Sequence, residues 1–211
     1  MKKNMSLALC VAVIMFSVVA CKKKKNDVTT TTTTTTPTNQ FTDSRDNQTY
    51  ATVTIGTQTW MAQNLNYATS NSKNPCTTGT DSCKNRGLLY PFTDALTACP
   101  SGWHLPSNTE WDMLEIALGA TDTTTYGSTV GNVIGTKLKA GGSSGFNALM
   151  TGEHVGSNYS QAGISTVFST STGSSSSGQM YMRRLSAADL GITRVNNTST
   201  TFGFCVRCLK N

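Results

Sequence analysis

Histidine is almost missing from this chain: His104 and His154 are the only two among 211 residues. Neither sits in a cysteine or carboxylate cluster at ligand spacing, so a zinc-type metal site has no basis in the sequence. No glycine-rich stretch of the phosphate-cradling kind occurs. Serine is plentiful, but neither histidine stands in a nucleophile context, so no Ser-His-Asp arrangement can be drawn. Charge is scarce too, at 13% Asp, Glu, Lys and Arg, and aromatics reach only 8%. Thr, Ser, Gly and Asn fill the space, which fits a small apolar core wrapped in polar loops better than a helical bundle.

The formal net charge of +6 is concentrated at one end. Lys2, Lys3 and Lys22 to Lys25 hold all the excess, and beyond Asn26 acidic and basic residues are equal in number. The pI of 9.0 therefore belongs to the N-terminal segment, and nucleic acid is not an expected partner.

Two lysines and then an apolar run from Met5 to Ala20 open the chain. The run falls short of the roughly 18–20 residues that span a bilayer and ends in small residues, the pattern of a secretory signal. Its end, Val18-Val19-Ala20-Cys21, is similar to the lipobox of bacterial lipoproteins, with valine where leucine is usual. That likeness implies residues 1–20 as a signal peptide, with Cys10 removed inside it, and Cys21 as the lipid attachment site. Buried acyl chains at about 0.8 kcal/mol per CH₂ would give lasting membrane attachment. Residues 21–40 read as a tether, with Lys22 to Lys25 against anionic headgroups and Thr29 to Thr36 as an extended spacer. Lys22 is not the aspartate linked to inner-membrane retention in the best-known sorting system, so the expected location is the outer membrane of the cell envelope.

Residues 41–211 carry the folding information. Tyr50 to Ile55 alternates with period two and predicts a strand, Gly56 a turn, and Gln58 to Met61 a second strand. Gly87 to Tyr90 predicts a short strand and Phe92 to Leu96 a helical turn. Pro106-Ser107-Asn108-Thr109-Glu110 has the spacing of a capping box. Behind it Trp111, Leu114 and Leu118 share a helix face and Gly119 ends the helix. Asp112 and Glu115 then fall on the other face, near the positive end of the dipole. Val130, Ile134 and Leu138 predict a second helix over 130–140. Phe146 to Val155, Thr166 to Thr170, Met180 to Leu185, Gly191 to Val195 and Phe204 to Leu209 are expected strands. His104, between Trp103 and Leu105, reads as a buried, hydrogen-bonded structural histidine. Arg183 and Arg184 with Tyr181 read as an amphipathic strand with one side solvated.

Four motifs assemble in order: Val53-Thr54-Ile55-Gly56 through Trp60-Met61-Ala62-Gln63-Asn64-Leu65-Asn66-Tyr67; the Cys76 and Cys83 loop leading to Gly87-Leu88-Leu89-Tyr90; Cys99-Pro100-Ser101-Gly102-Trp103-His104-Leu105-Pro106-Ser107; and Gly203-Phe204-Cys205-Val206-Arg207-Cys208. Together they resemble the Fibrobacter succinogenes major paralogous domain, a bacterial family common on lipoproteins, over residues 41–211. Cys205 departs from the family's usual serine, and Phe168-Ser169-Thr170 from Trp-Ser-Ser. A fainter similarity, through Leu105-Pro106-Ser107 to Trp111 and Gly203-Phe204, is to formylglycine-generating-enzyme-like domains. It implies an α+β, C-type-lectin-like fold: two helices packed on small irregular antiparallel sheets, with long polar loops and paired termini.

An oxidising compartment makes disulfides the expectation. Cys76 and Cys83 can close locally. Cys99 is left for the C-terminal strand, where Cys205 and Cys208 point to opposite faces. The resemblance implies Cys99 with Cys208, since the family motif carries that cysteine, and leaves Cys205 free or used between molecules.

The same resemblances weigh against chemistry. The copper-binding cysteine pair of formylglycine-generating enzymes has no counterpart over Met180 to Ile192, and the calcium-site motifs of sugar-binding lectins of this fold are missing. The expectation is a lipid-anchored, non-catalytic binding or adhesion module for a polysaccharide or an envelope partner, with no catalytic residue, metal or cofactor. The alternative is a cryptic enzyme on the same fold.

Overall fold

A computed structural model describes residues 39–75, 85–124, 129–130, 133–173, 180–197, 199 and 201–211. All of them belong to one compact unit, Thr36–Asn211. The signal peptide, Cys21, most of the tether and the expected Cys76–Cys83 pair lie outside the described residues. No helix among the described residues is long and apolar enough to cross a membrane.

The architecture is α+β. Strands β1 (Gln40–Thr42), β2 (Thr49–Ile55) and β3 (Gln58–Met61) are followed by β4 (Leu89–Tyr90), helix α1 (Phe92–Ala98), β5 (Trp103–His104) and helix α2 (Asn108–Ala117). Then come β6 (Thr129–Val130), α3 (Ile134–Leu138), β7 (Glu153–Val155), β8 (Asn158–Ser160), β9 (Ser165–Gly173), β10 (Met180–Ser186), β11 (Ile192–Asn197), β12 (Phe204–Cys205) and β13 (Leu209–Lys210). One sheet has the order β1-β2-β3-β13-β5, a second β4-β12-β9-β10-β11-β6, and β7-β8 is a separate hairpin. The C-terminal strand β13 thus lies between β3 and β5, with Leu209 opposite Trp60 on one side and His104 on the other. β13 thereby joins the sheet of the first three strands, next to β3 rather than β1.

Local signals act where they were expected. β2 and β3 pair from Thr52↔Met61 to Ile55↔Gln58, around Gly56 at φ 61°. Both faces of β2 are used: Tyr50 and Ile55 are buried in different apolar clusters. At α2 the Ser107 side chain accepts from the Glu110 amide, and the Glu110 carboxylate accepts from the Ser107 amide. The same helix stops at Gly119, φ 102°, where the Gly119 amide donates to Ile116 and the Ala120 amide to Glu115. That paired arrangement needs a left-handed residue, which glycine adopts without strain.

Four aromatic rings centre the larger cluster. Trp60 and Trp111 stand 5.0 Å apart, and Phe146 and Phe168 close around them at centroid distances of 5.5–5.8 Å. Leu114, Leu138, Leu185, Ile192 and Cys205 fill the remainder. A second cluster holds Tyr50, Met61, Leu65, Tyr90, Trp103, Leu105, Val206 and Cys208. Cys99 and Cys208 are joined, with Cα atoms 5.9 Å apart. Cys205 is free and buried, on the larger cluster's side. Its burial removes the option of a bridge between folded molecules.

Several expectations are corrected. The second helix spans only Ile134–Leu138, and Val130 is instead in strand β6, paired with Ile192. A Cβ on Gly135 would stand 2.0 Å from the Gly191 carbonyl oxygen, so this turn packs backbone against backbone. Phe146 to Val155 is a strand only at Glu153–Val155, because Gly145, Asn147 and Gly152 take positive φ and bend the chain. Phe204 to Leu209 is two short strands in different sheets, and Val206, Arg207 and Cys208 carry the chain between them.

The charged residues are corrected too. Arg183 is fully buried and only Arg184 reaches solvent, so the solvated side of β10 is not shared by both. Glu115 is fully buried as well, not exposed on the far side of α2.

Candidate functional site

The buried charges of α2 form a structural unit. Glu115 accepts from Arg183 Nε at 2.6 Å and from Arg194 Nη2, while Asp112 accepts from Arg183 Nη2 at 2.7 Å. Burial pushes both carboxyls above their ordinary values, against the pull of the two arginines. These ion pairs, three of whose four members are fully buried, tie α2 to β10 and β11.

His104 is hydrogen-bonded but not buried. Its side chain is 37% exposed, with Nδ1 2.6 Å from Asn211 Oδ1 and Nε2 2.9 Å from Glu110 Oε1. Ser107 Oγ donates to the far oxygen of the same carboxylate at 2.9 Å. The serine therefore meets the acid and not the imidazole, the wrong order for activating a nucleophile. Glu110 is held below the ordinary carboxyl value: burial opposes this, but the Ser107 amide and His104 outweigh it. The group serves the helix cap and the C terminus.

Cys205 offers no better nucleophile. Burial pushes its thiol up, and its neighbours are Thr166 Oγ1 and Asn64 Nδ2, each at 3.4 Å. A thiolate needs an electropositive and accessible setting. Among the described residues no group of three or more His, Cys, Asp or Glu is placed to hold a metal ion.

What the sequence reading missed lies on the opposite flank. Arg207, between β12 and β13, is 1% exposed. Its Nε and Nη2 donate to Asn64 Oδ1 at 3.1 and 2.6 Å, and its Nη1 donates to the carbonyls of Met61, at 3.2 Å, and Phe146. The guanidinium lies 4.3 Å over the Phe146 ring. Burial lowers its pKa to about 9, with no carboxylate among the groups acting on it, and it remains a cation at neutral pH. Asn64 completes the node by placing Nδ2 2.9 Å from the Arg86 carbonyl and 3.1 Å from Thr151 Oγ1.

Above this node opens a cleft of about 280 Å³, lined by Ala51, Ala62, Gln63, Asn64, Asn85, Asn147, Leu149 and Arg207. A notch of about 30 Å³ shares Gln63, Asn64 and Asn85 and adds Gln48, Tyr50 and Asn66. Among the described residues neither is lined by an acid. Gln63 is anchored through Oε1, which accepts from the Ala51 amide at 2.8 Å. Asn85 and Asn147 are exposed, and their side-chain amides have no partner among the described residues. A primary amide both donates and accepts, as a hydroxyl does, so such a lining matches a neutral polyhydroxylated ligand. A further concavity, about 430 Å³, is lined by Asn71, Lys73, Pro91, Thr93, His154, Gly156 and Thr201.

The expected Cys99–Cys208 pair is formed, and the expected lipid site Cys21 is outside the described residues. One signal for the cleft was present in the sequence: Arg207 lies in a run of core residues, where an arginine needs a reason. A family model described as Fibrobacter succinogenes major domain matches residues 53–210, from within β2 to the end of β13. No curated protein and no solved structure matches the chain.

Proposed function

The chain belongs to the Fibrobacter succinogenes major domain family, and from that premise we propose that it is a lipid-anchored envelope protein presenting a non-catalytic, C-type-lectin-like module that binds polysaccharide. The observation that carries this reading is the amide-lined cleft. Gln63, Asn85 and Asn147 come from three separate segments and converge without an acid, a metal set or an activated nucleophile among them. Leu149 and the alanines add apolar surface against which the C–H face of a sugar can rest. Supporting it from the other end are the lipobox-like Val18-Val19-Ala20-Cys21 and the threonine spacer, which would hold the module away from an outer-membrane surface.

The test is glycan-array binding of the purified full chain in detergent, with and without EDTA. Metal-independent binding that falls on substitution of Asn85 or Asn147 by alanine is the expected result. Silence across the array would remove the polysaccharide reading in favour of a protein partner. Anchoring is tested separately: Cys21→Ala should abolish incorporation of labelled palmitate and release the protein from the membrane fraction.

A further inference from the structure

We propose that the cleft selects a sugar bearing a carboxylate, with Arg207 as its counter-charge. The inference rests on the glycan-binding reading and adds the class of sugar. A guanidinium has five N–H donors. Four contacts are made, two to Asn64 Oδ1 and two to the Met61 and Phe146 carbonyls, so one Nη2 hydrogen has no acceptor. All three acceptor atoms are neutral, and no carboxylate acts on the group. A buried charge without a counter-charge is costly, and a ligand that supplies one recovers part of that cost.

Among the described residues Arg207 is also the only formally charged one lining the cleft, so the potential there is positive. The contrast with Arg183 and Arg194 is instructive. Those two are equally buried, but the protein itself provides Asp112 and Glu115 for them. Of these three buried arginines, Arg207 alone has no carboxylate acting on it among the described residues. One spare N–H and one positive charge suit a monoanionic carboxylate better than a dianionic phosphate. The surrounding amides of Gln63, Asn85 and Asn147 then take the hydroxyls of the same residue or its neighbour.

Arg207 is built into the core, so its own replacement could unfold the protein. The decisive variants are Asn85→Asp and Asn147→Asp, which place a negative charge at the exposed rim. Asparagine and aspartate both tolerate the positive φ of 53° at position 147. Titration calorimetry of the full chain in detergent would compare oligomers of galacturonate, glucuronate and mannuronate with their methyl esters and with neutral hexose oligomers. At least one uronate should bind about tenfold or more tighter than its ester, the worth of a charge-assisted hydrogen bond. Each aspartate variant should weaken the uronate several-fold more than it weakens the ester.

Equal binding of acid and ester, or equal effects of the variants on both, would overturn acid selectivity while leaving the glycan reading standing. Binding of no oligomer would remove both.

Discussion

Glu115 shows how much one side chain can decide. It is fully buried, and it accepts from two arginines that are themselves fully buried. Glu115→Ala would take from Arg183 and Arg194 the buried carboxylate they share, leaving the partly exposed Asp112 among their remaining partners, and removing one partner of a buried ion pair costs about 3–5 kcal/mol. Urea unfolding at neutral pH should show a loss of that size. A loss below about 1 kcal/mol would mean that water reaches the arginines. The role was invisible in the sequence, where Glu115 falls off the apolar face of α2 and reads as an exposed acid. Alternation along β10 does separate Arg183 from Arg184, but periodicity cannot say which of the two faces inward. Asp43 is a second case: its fully buried carboxylate pairs with Arg45 Nη2 at 2.7 Å, and this holds it below the ordinary carboxyl value. A carboxyl lowered on folding adds stability that is fully present above the unfolded pKa and is lost as pH falls through the folded one. Asp43→Asn should therefore reduce stability at pH 7 and flatten the decline below pH 4, as followed by urea melts across that range.

At the scale of elements, the contrast between α2 and α3 is informative. The start and stop of α2 depend on hydrogen bonds spanning three to five positions, from Ser107 to Glu110 and from Glu115 to Ala120. Such signals are complete within the local sequence. Ser107→Ala should cost about 1 kcal/mol, the usual worth of an N-cap, in equilibrium denaturation. The apolar spacing at Val130, Ile134 and Leu138 was equally regular, yet a helix forms over one part of it only. There the outcome depends on Ile192, opposite Val130, and on the Gly191 backbone pressed against Gly135. Gly135→Ala would gain about 1 kcal/mol of helix propensity in an isolated helix. Here it should instead destabilise the protein, because a Cβ meets backbone that cannot swing away. A raised melting temperature for this variant would show that the α3–β11 contact is looser than described.

Across the whole molecule, the last residues bind the fold together. The Cys99–Cys208 bridge closes a separation of 109 residues. Loop entropy for about 100 residues corresponds to ~4.7 kcal/mol, and removing a native disulfide typically costs about 2–5 kcal/mol. Paired Cys99→Ala and Cys208→Ala substitution should lower stability within that range without exposing Cys205 to thiol reagents in the native state. Labelling of Cys205 in the folded variant would show that the bridge also keeps the larger core shut. Both the Cys99–Cys208 pairing and the family were legible from separated motifs, and the α+β class came through the resemblance those motifs carry. The cleft was not, since Gln63, Asn85, Asn147 and Arg207 come from four segments with no shared local signature.

By itself the sequence determined the β2–β3 hairpin, both ends of α2 and the family motifs, and through them the cysteine partner. The hydrogen bonds and turn conformations behind the hairpin and the helix ends close within a few residues, so their free energy is set before the chain meets itself. Only the tertiary structure decided which charges are buried, how far α3 extends, where the final strand breaks between two sheets, and that Arg207 faces a cleft without a counter-charge. Burial and long-range pairing depend on which distant segment arrives opposite a residue, and no local period carries that information.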